Sequence, residues 1–227
     1  MSPFDSEPPG SLSLAAERAF SNGDLDAAVE KYRQALDHTP DHAPTHADLA
    51  AVLYERGEHD DAAQHFRRAI ESESTPARAH YNYALFLLDE RGESDRAVEQ
   101  FERAIEVDPD HAAAHNDLAT VLEERGETDA AGEHYERAVA IDPDYAVAHT
   151  NLGALLQVDG ESERAEEHFR NAIEADPENT RARYNLAILY ETTDRDAQAR
   201  EQYQRVLDID PDDTDARERL DALEDVL

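Results

Sequence analysis

At 227 residues the chain is long enough for one or two domains, and 54 Asp and Glu against 21 Lys and Arg leave it with a net charge of −33. Such an excess argues against a nucleic-acid backbone or an anionic membrane surface as partner, because clustered cations hold both. The absence of cysteine excludes disulfides, zinc–thiolate sites and cysteine nucleophiles, and no apolar run approaches the roughly 18 residues of a membrane span.

The chain opens with Met1–Gly10, which holds three prolines and neither the basic nor the apolar stretch of a secretory leader. A disordered tail over residues 1–8 is expected there, on a soluble cytoplasmic protein. Downstream, Asp-Pro steps form a ruler. Pro109, Pro143, Pro177 and Pro211 stand 34 residues apart, and Pro40 and Ser74 continue the series upstream, with one extra residue between Ser74 and Pro109. On this ruler an aromatic recurs in every unit: Tyr32, Phe66, Phe101, Tyr135, Phe169 and Tyr203. An alanine precedes each by four residues, and Ala35, Ala69, Ala104, Ala138, Ala172 or Val206 follows by three. Such self-similarity marks a repeat architecture.

Within a unit the apolar residues fall at spacings of 3, 4 and 7, as in Leu118, Leu122, Ala131, Tyr135 and Ala138, and predict amphipathic helices. Gly23, Gly57, Gly92, Gly126 and Gly160 stand where a first helix must stop; the sixth unit has Asp194 instead. The Asp-Pro steps end each second helix, since the residue before proline is disfavoured in the α region. Glu99–Arg103, Glu133–Arg137, Glu166–Arg170 and Glu201–Arg205 are spaced to support the outer helices. Thr214–Leu227 reads as a thirteenth helix, with Leu220, Leu223 and Leu227 on one side to cap the last unit.

The segment Ala148-His149-Thr150-Asn151-Leu152-Gly153, followed by Gly160, Ala165, Phe169, Ala172 and Asp176-Pro177, resembles the tetratricopeptide repeat, a 34-residue helix–turn–helix unit. The resemblance implies an all-α fold: a right-handed α-α superhelix of six helix pairs with a C-terminal capping helix. The units would be 9–42, 43–76, 77–111, 112–145, 146–179 and 180–213, with the cap at 214–227. The family's large first-helix aromatic is replaced here by Leu12, His46, His80, His115, His149 and Arg183. The composition, with 20 arginines but the single lysine Lys31, resembles that of salt-in halophiles. Dense carboxylates stay hydrated there while molar salt screens their repulsion.

The family resemblance implies a noncatalytic scaffold whose concave groove, lined by first helices, binds an extended peptide or a helix of a partner protein. Asn82, Asn151 and Asn185 share one place in the repeat, with Asp48 and Asp117 in the same slot of the second and fourth units. An amide both donates and accepts, so it can pair with a peptide backbone without reading side chains. The pattern around Asn151 is similar to the repeats of O-GlcNAc transferase, whose asparagine ladder holds extended peptides. The candidate peptide-binding set is therefore Arg78, Tyr81, Asn82, Asn116, Thr150, Asn151, Arg181, Tyr184 and Asn185. Self-association is an alternative, as is a regulatory module acting beside a glycosyltransferase-type enzyme.

No Gly-rich phosphate loop, Gly-x-Ser-x-Gly elbow or convergent Ser/His/Asp set is present, so enzymatic activity is not expected, nor is a cofactor. The recurrent first-helix histidines do not make a metal site: equivalent positions lie at least about 8–10 Å apart, whereas zinc ligands sit about 2 Å from the ion. They read as half-buried packing residues in place of the aromatic. His65, His134 and His168, each preceding a second-helix aromatic, read as surface or inter-unit contacts.

Overall fold

The computed structural model describes residues 8–71 and 75–224. Thirteen helices and no strand occur among them: α1 (Pro9–Ser21), α2 (Leu25–His38), α3 (Ala43–Glu55), α4 (His59–Ile70), α5 (Ala77–Arg91), α6 (Ser94–Val107), α7 (Ala112–Glu124), α8 (Thr128–Ile141), α9 (Ala146–Val158), α10 (Ser162–Ala175), α11 (Thr180–Thr192), α12 (Asp196–Ile209) and α13 (Thr214–Glu224). The expected tail, apart from Pro8, lies outside the described residues, as do Ser74 and Leu227. Pro9 and Gly10 already belong to α1, because proline is tolerated in a first helical turn.

The turns follow from local chemistry. Between the helices of a pair, Gly23, Gly57, Gly92, Gly126 and Gly160 all adopt positive φ, and Asp194 holds the same place with φ 58°. The third unit's extra residue is absorbed by α5, which runs two residues longer than α7 or α9 and stops at left-handed Gly92. Between pairs, the aspartate before each proline is extended, as at Asp142 (φ −124°, ψ 94°). Its carboxylate then accepts from the backbone two residues on: Asp110 N to Asp108 at 3.2 Å, Asp144 N to Asp142 at 3.1 Å, Glu178 N to Asp176 at 3.0 Å and Asp212 N to Asp210 at 3.1 Å. One Asp-Pro step thus both ends a helix and fixes the turn that follows.

The chain divides into two compact units, Met1–Ala114 and His115–Leu227. In the first, α1 packs on α2, α2 on α3, α3 on α4 and α5, and α5 on α6. Tyr32, Phe66 and Phe101 are buried among fully buried alanines of the two helices in each pair. In the second, α9 packs on α10 and α11, α11 on α12, and α12 on α13. Tyr135, Phe169 and Tyr203 play the same part there, and α13 closes the stack with Ala216 and Leu220 buried. Glu166 ties neighbouring pairs together: its carboxylate meets Arg170 and Arg195 at 2.7 Å each and accepts from the Tyr190 hydroxyl at 3.1 Å. Burial pushes its pKa up, but these three donors outweigh it and hold it below the usual carboxylate range.

Candidate functional site

The first helices carry the candidate residues, and each compact unit presents its own set. In the first unit, Asp48 on α3 is nearly covered and pairs with Arg78 on α5 at 2.5 Å. Burial pushes the Asp48 carboxyl up and Arg78 opposes that shift. Arg78 is therefore committed within its own face. Tyr81 lies against Phe101 and His111, with ring centroids 5.9 and 4.8 Å away. Asn82 is half-buried, and Leu85 is an exposed apolar residue one turn on.

In the second unit three of the nine residues turn inward. Asn116, Thr150 and Asn151 are buried. Asn151 Nδ2 donates to Asn116 Oδ1 at 3.0 Å, and Asn116 Nδ2 donates to Asp117 Oδ1 at 2.8 Å. The Thr150 hydroxyl donates to the Ala146 carbonyl at 2.8 Å and accepts from Asn179 Nδ2 at 3.1 Å. Neighbouring first helices are joined by amides here, where α3 and α5 use an ion pair. Arg181 is exposed, whereas Tyr184 and Asn185 are half-buried. The Tyr184 ring packs edge-on to Tyr203 at 5.5 Å.

Arg78 and Arg181 occupy equivalent places with different surroundings. Arg78 reaches Asp48, 30 residues upstream. Thirty residues before Arg181 stands Asn151, which carries no charge and bonds to Asn116. Among the described residues Arg181 makes neither a hydrogen bond nor an ion pair. Helix α9 bears no Asp, Glu, Lys or Arg and leaves Val147 48% exposed, so an apolar side chain and a cation lie on adjoining first helices.

The sequence expectation missed a second constellation. His46 Nε2–H donates to the Pro40 carbonyl at 2.8 Å, and His46 Nδ1 lies 2.8 Å from Nδ1 of His65 on α4. His149 repeats the arrangement, with Pro143 O at 3.0 Å and His168 Nδ1 at 2.9 Å; His115 and His134 face each other at 2.9 Å. In the third pair His80 Nδ1–H donates to Gln100 Oε1 at 2.9 Å, and in the sixth Arg183 donates to the Pro177 carbonyl and to Gln202. At His46, His149 and Arg183 the replacement for the family's aromatic is thus a polar bridge from the proline turn to the second helix. His65, His134 and His168 are contacts within a helix pair, which corrects the surface or inter-unit expectation. The signal was the recurring interval of 19 residues, at 46/65, 115/134 and 149/168. No group of three or more potential metal ligands occurs among the described residues.

Models described as tetratricopeptide repeat match residues 19–85 and 159–223, residues 87–146 and residues 134–167. The chain belongs to the tetratricopeptide repeat family. Its tetratricopeptide fold is shared with solved structures of low sequence identity, and likeness at this level concerns the fold alone. PilF of Pseudomonas aeruginosa superposes with a TM-score of 0.82 at 19% identity, covering 96% of this chain and 97% of that one. PilW, described as a widely conserved type IV pilus biogenesis factor, gives 0.77 at 16% identity over 95% and 97% of the two chains. YrrB, described as a TPR protein with an unusual peptide-binding site, gives 0.69 at 24% identity over 84% and 98%. A search of curated proteins found no match.

Proposed function

We propose that this tetratricopeptide chain is a noncatalytic scaffold that holds an extended segment of a partner protein against its first helices. The observation that carries this reading is the unneutralised Arg181 beside the uncharged face of α9, on a chain of net charge −33. Half-buried Asn185 and Tyr184 lie on the same helix as Arg181 and offer donors, an acceptor and an aromatic surface. Tyr81, Asn82 and Leu85 provide a second set on α5. Asn116, Thr150 and Asn151 then act by fixing the spacing of α7, α9 and α11, and Arg78 by pairing with Asp48. The unusual peptide-binding site described for YrrB supports the same use of the fold. We further read the units as 9–42, 43–76, 77–111, 112–145, 146–179 and 180–213 with a cap at 214–227, and the acidity as adaptation to a salt-rich cytoplasm.

A displayed library of random 12-residue peptides, selected at 1 M KCl, tests the reading. Peptides recovered on the wild type should lose at least about tenfold in affinity on R181A combined with N185A, with helical circular dichroism unchanged. They should lose little on R78A, whose side chain is held by Asp48. Peptides that bind the double variant as well as the wild type, or a library that yields no binders, would overturn it.

A further inference from the structure

The paired histidines have a consequence that lies outside groove binding and does not rest on it. A carbonyl only accepts, so in the neutral pair His46 carries its proton on Nε2, facing Pro40 O. Its Nδ1 is then a bare acceptor, and His65 supplies the one proton between the two rings. The same reasoning sets His149 as the Nε2–H tautomer and His168 as the donor. One proton fits between each pair of Nδ1 atoms; two do not.

We propose that the His46–His65 and His149–His168 bridges make α3–α4 and α9–α10 acid-labile, so that these helix pairs loosen on mild acidification while α5–α6 does not. A proton added to Nδ1 of the first-helix histidine sets N–H against N–H at under 3 Å. A proton added to Nε2 of the second-helix histidine places a cation in a half-buried site. Around the first bridge the charges are mixed: Arg33 from α2, Arg68 from α4 and His42 oppose protonation, while Asp41 and Asp61 favour it. Around the second, Arg164 opposes it and Glu136 from α8 and Glu167 favour it. Burial is the larger influence at both. It lowers His46 and His168 and takes His65 from 6.5 to about 4, with the His46 ring adding to the effect.

The sign follows from linkage. His65 binds fewer protons in the folded than in the unfolded chain between pH 6.5 and about 4, so the stability it contributes is full above that window and falls as pH drops through it. Ordinary carboxylates titrate mainly below pH 5, and Asp48 on α3, which burial pushes up, acts in the opposite sense to the histidines. The His80–Gln100 bridge is exempt because a glutamine amide can turn to donate to neutral imidazole or accept from imidazolium.

Hydrogen exchange of the wild-type chain in 1 M KCl at pH 7 and pH 5, corrected for intrinsic rates, tests the proposal within one molecule. Opening of α4 and α10 should rise about tenfold, with α6 as the internal control. In thermal melts followed by circular dichroism, H65Q with H168Q should lessen the fall in Tm between pH 7 and 5, while the His115–His134 pair stays in place. If that variant does not fold, long-range proton–nitrogen correlations of the wild-type rings decide instead. Nε2–H tautomers at His46 and His149, with a His65 midpoint depressed below the ordinary imidazole value, support the proposal. Equal acid response of α4, α6 and α10, an unchanged fall in Tm in the variant, or a His65 midpoint that is not depressed would each overturn it.

Discussion

Two helical glycines show how one atom can change sign with its surroundings. Gly132 lies inside α8, where an added Cβ would meet Leu155 Cδ2 at 3.5 Å, an ordinary contact. Gly153 lies inside α9, where the same atom would sit 2.7 Å from Cε1 of Phe169. G132A should therefore raise stability by about 0.5–1 kcal/mol, the entropic penalty of a mid-helix glycine. At Gly153 that gain is of order 1 kcal/mol and overpacking costs about 1–3 kcal/mol, so G153A should lower stability. The loss should stay near 1 kcal/mol, because Ala50, Ala84, Ala119 and Ala187 hold this place in sibling repeats opposite Phe66, Phe101, Tyr135 and Tyr203. Urea denaturation of the two variants checks the pair, and equal shifts in the same direction would contradict the packing argument.

At the scale of a helix pair, the sixth turn breaks the glycine series without breaking its geometry. Asp194 adopts φ 58°, a conformation that five glycines reach in the other turns without a Cβ penalty. D194G should stabilise the α11–α12 pair by roughly 0.5–1 kcal/mol, read as a later urea midpoint; an unchanged or earlier midpoint would show that the left-handed turn is not strained. The place of this turn was legible, because Gly160 and Asp194 are one repeat apart and the α-helical periodicity flanks both. The helices were legible for the same reason: alanine, aromatic and Asp-Pro each sit where sterics leave little choice. Side-chain rotation was not. Glu166–Arg170 forms at its expected spacing, yet Arg103 reaches forward to Glu106 and Arg205 to Asp208. Asn116 and Asn151, candidates for a ligand, bond to each other, because two amides on neighbouring first helices satisfy one another once stacking buries them. Arg78 likewise turns to Asp48, which no spacing within a single helix could reveal.

At the scale of the whole molecule, charge opposes folding and the medium decides by how much. Cross-helix pairs such as Arg164–Glu136 and Arg219–Glu191 return some attraction, but exposed pairs contribute little. With 21 cations for 54 carboxylates, most acidic side chains have no positive neighbour to gain. Their repulsion acts over a Debye length of about 10 Å at 0.1 M salt and about 3 Å at 1 M, so the separation at which two helices pack is exposed to it in dilute buffer and shielded in concentrated salt. The thermal midpoint should accordingly climb steeply with KCl up to about 0.5 M and then level off, as screening saturates. A gain from strengthened apolar burial would instead keep growing with concentration, and an uncharged osmolyte such as sucrose would reproduce it. Melts followed by circular dichroism across a KCl series, repeated in sucrose, separate the two. A midpoint indifferent to KCl would mean that the chain folds against its own charge unaided, and the acidic surface would then need an origin other than salt.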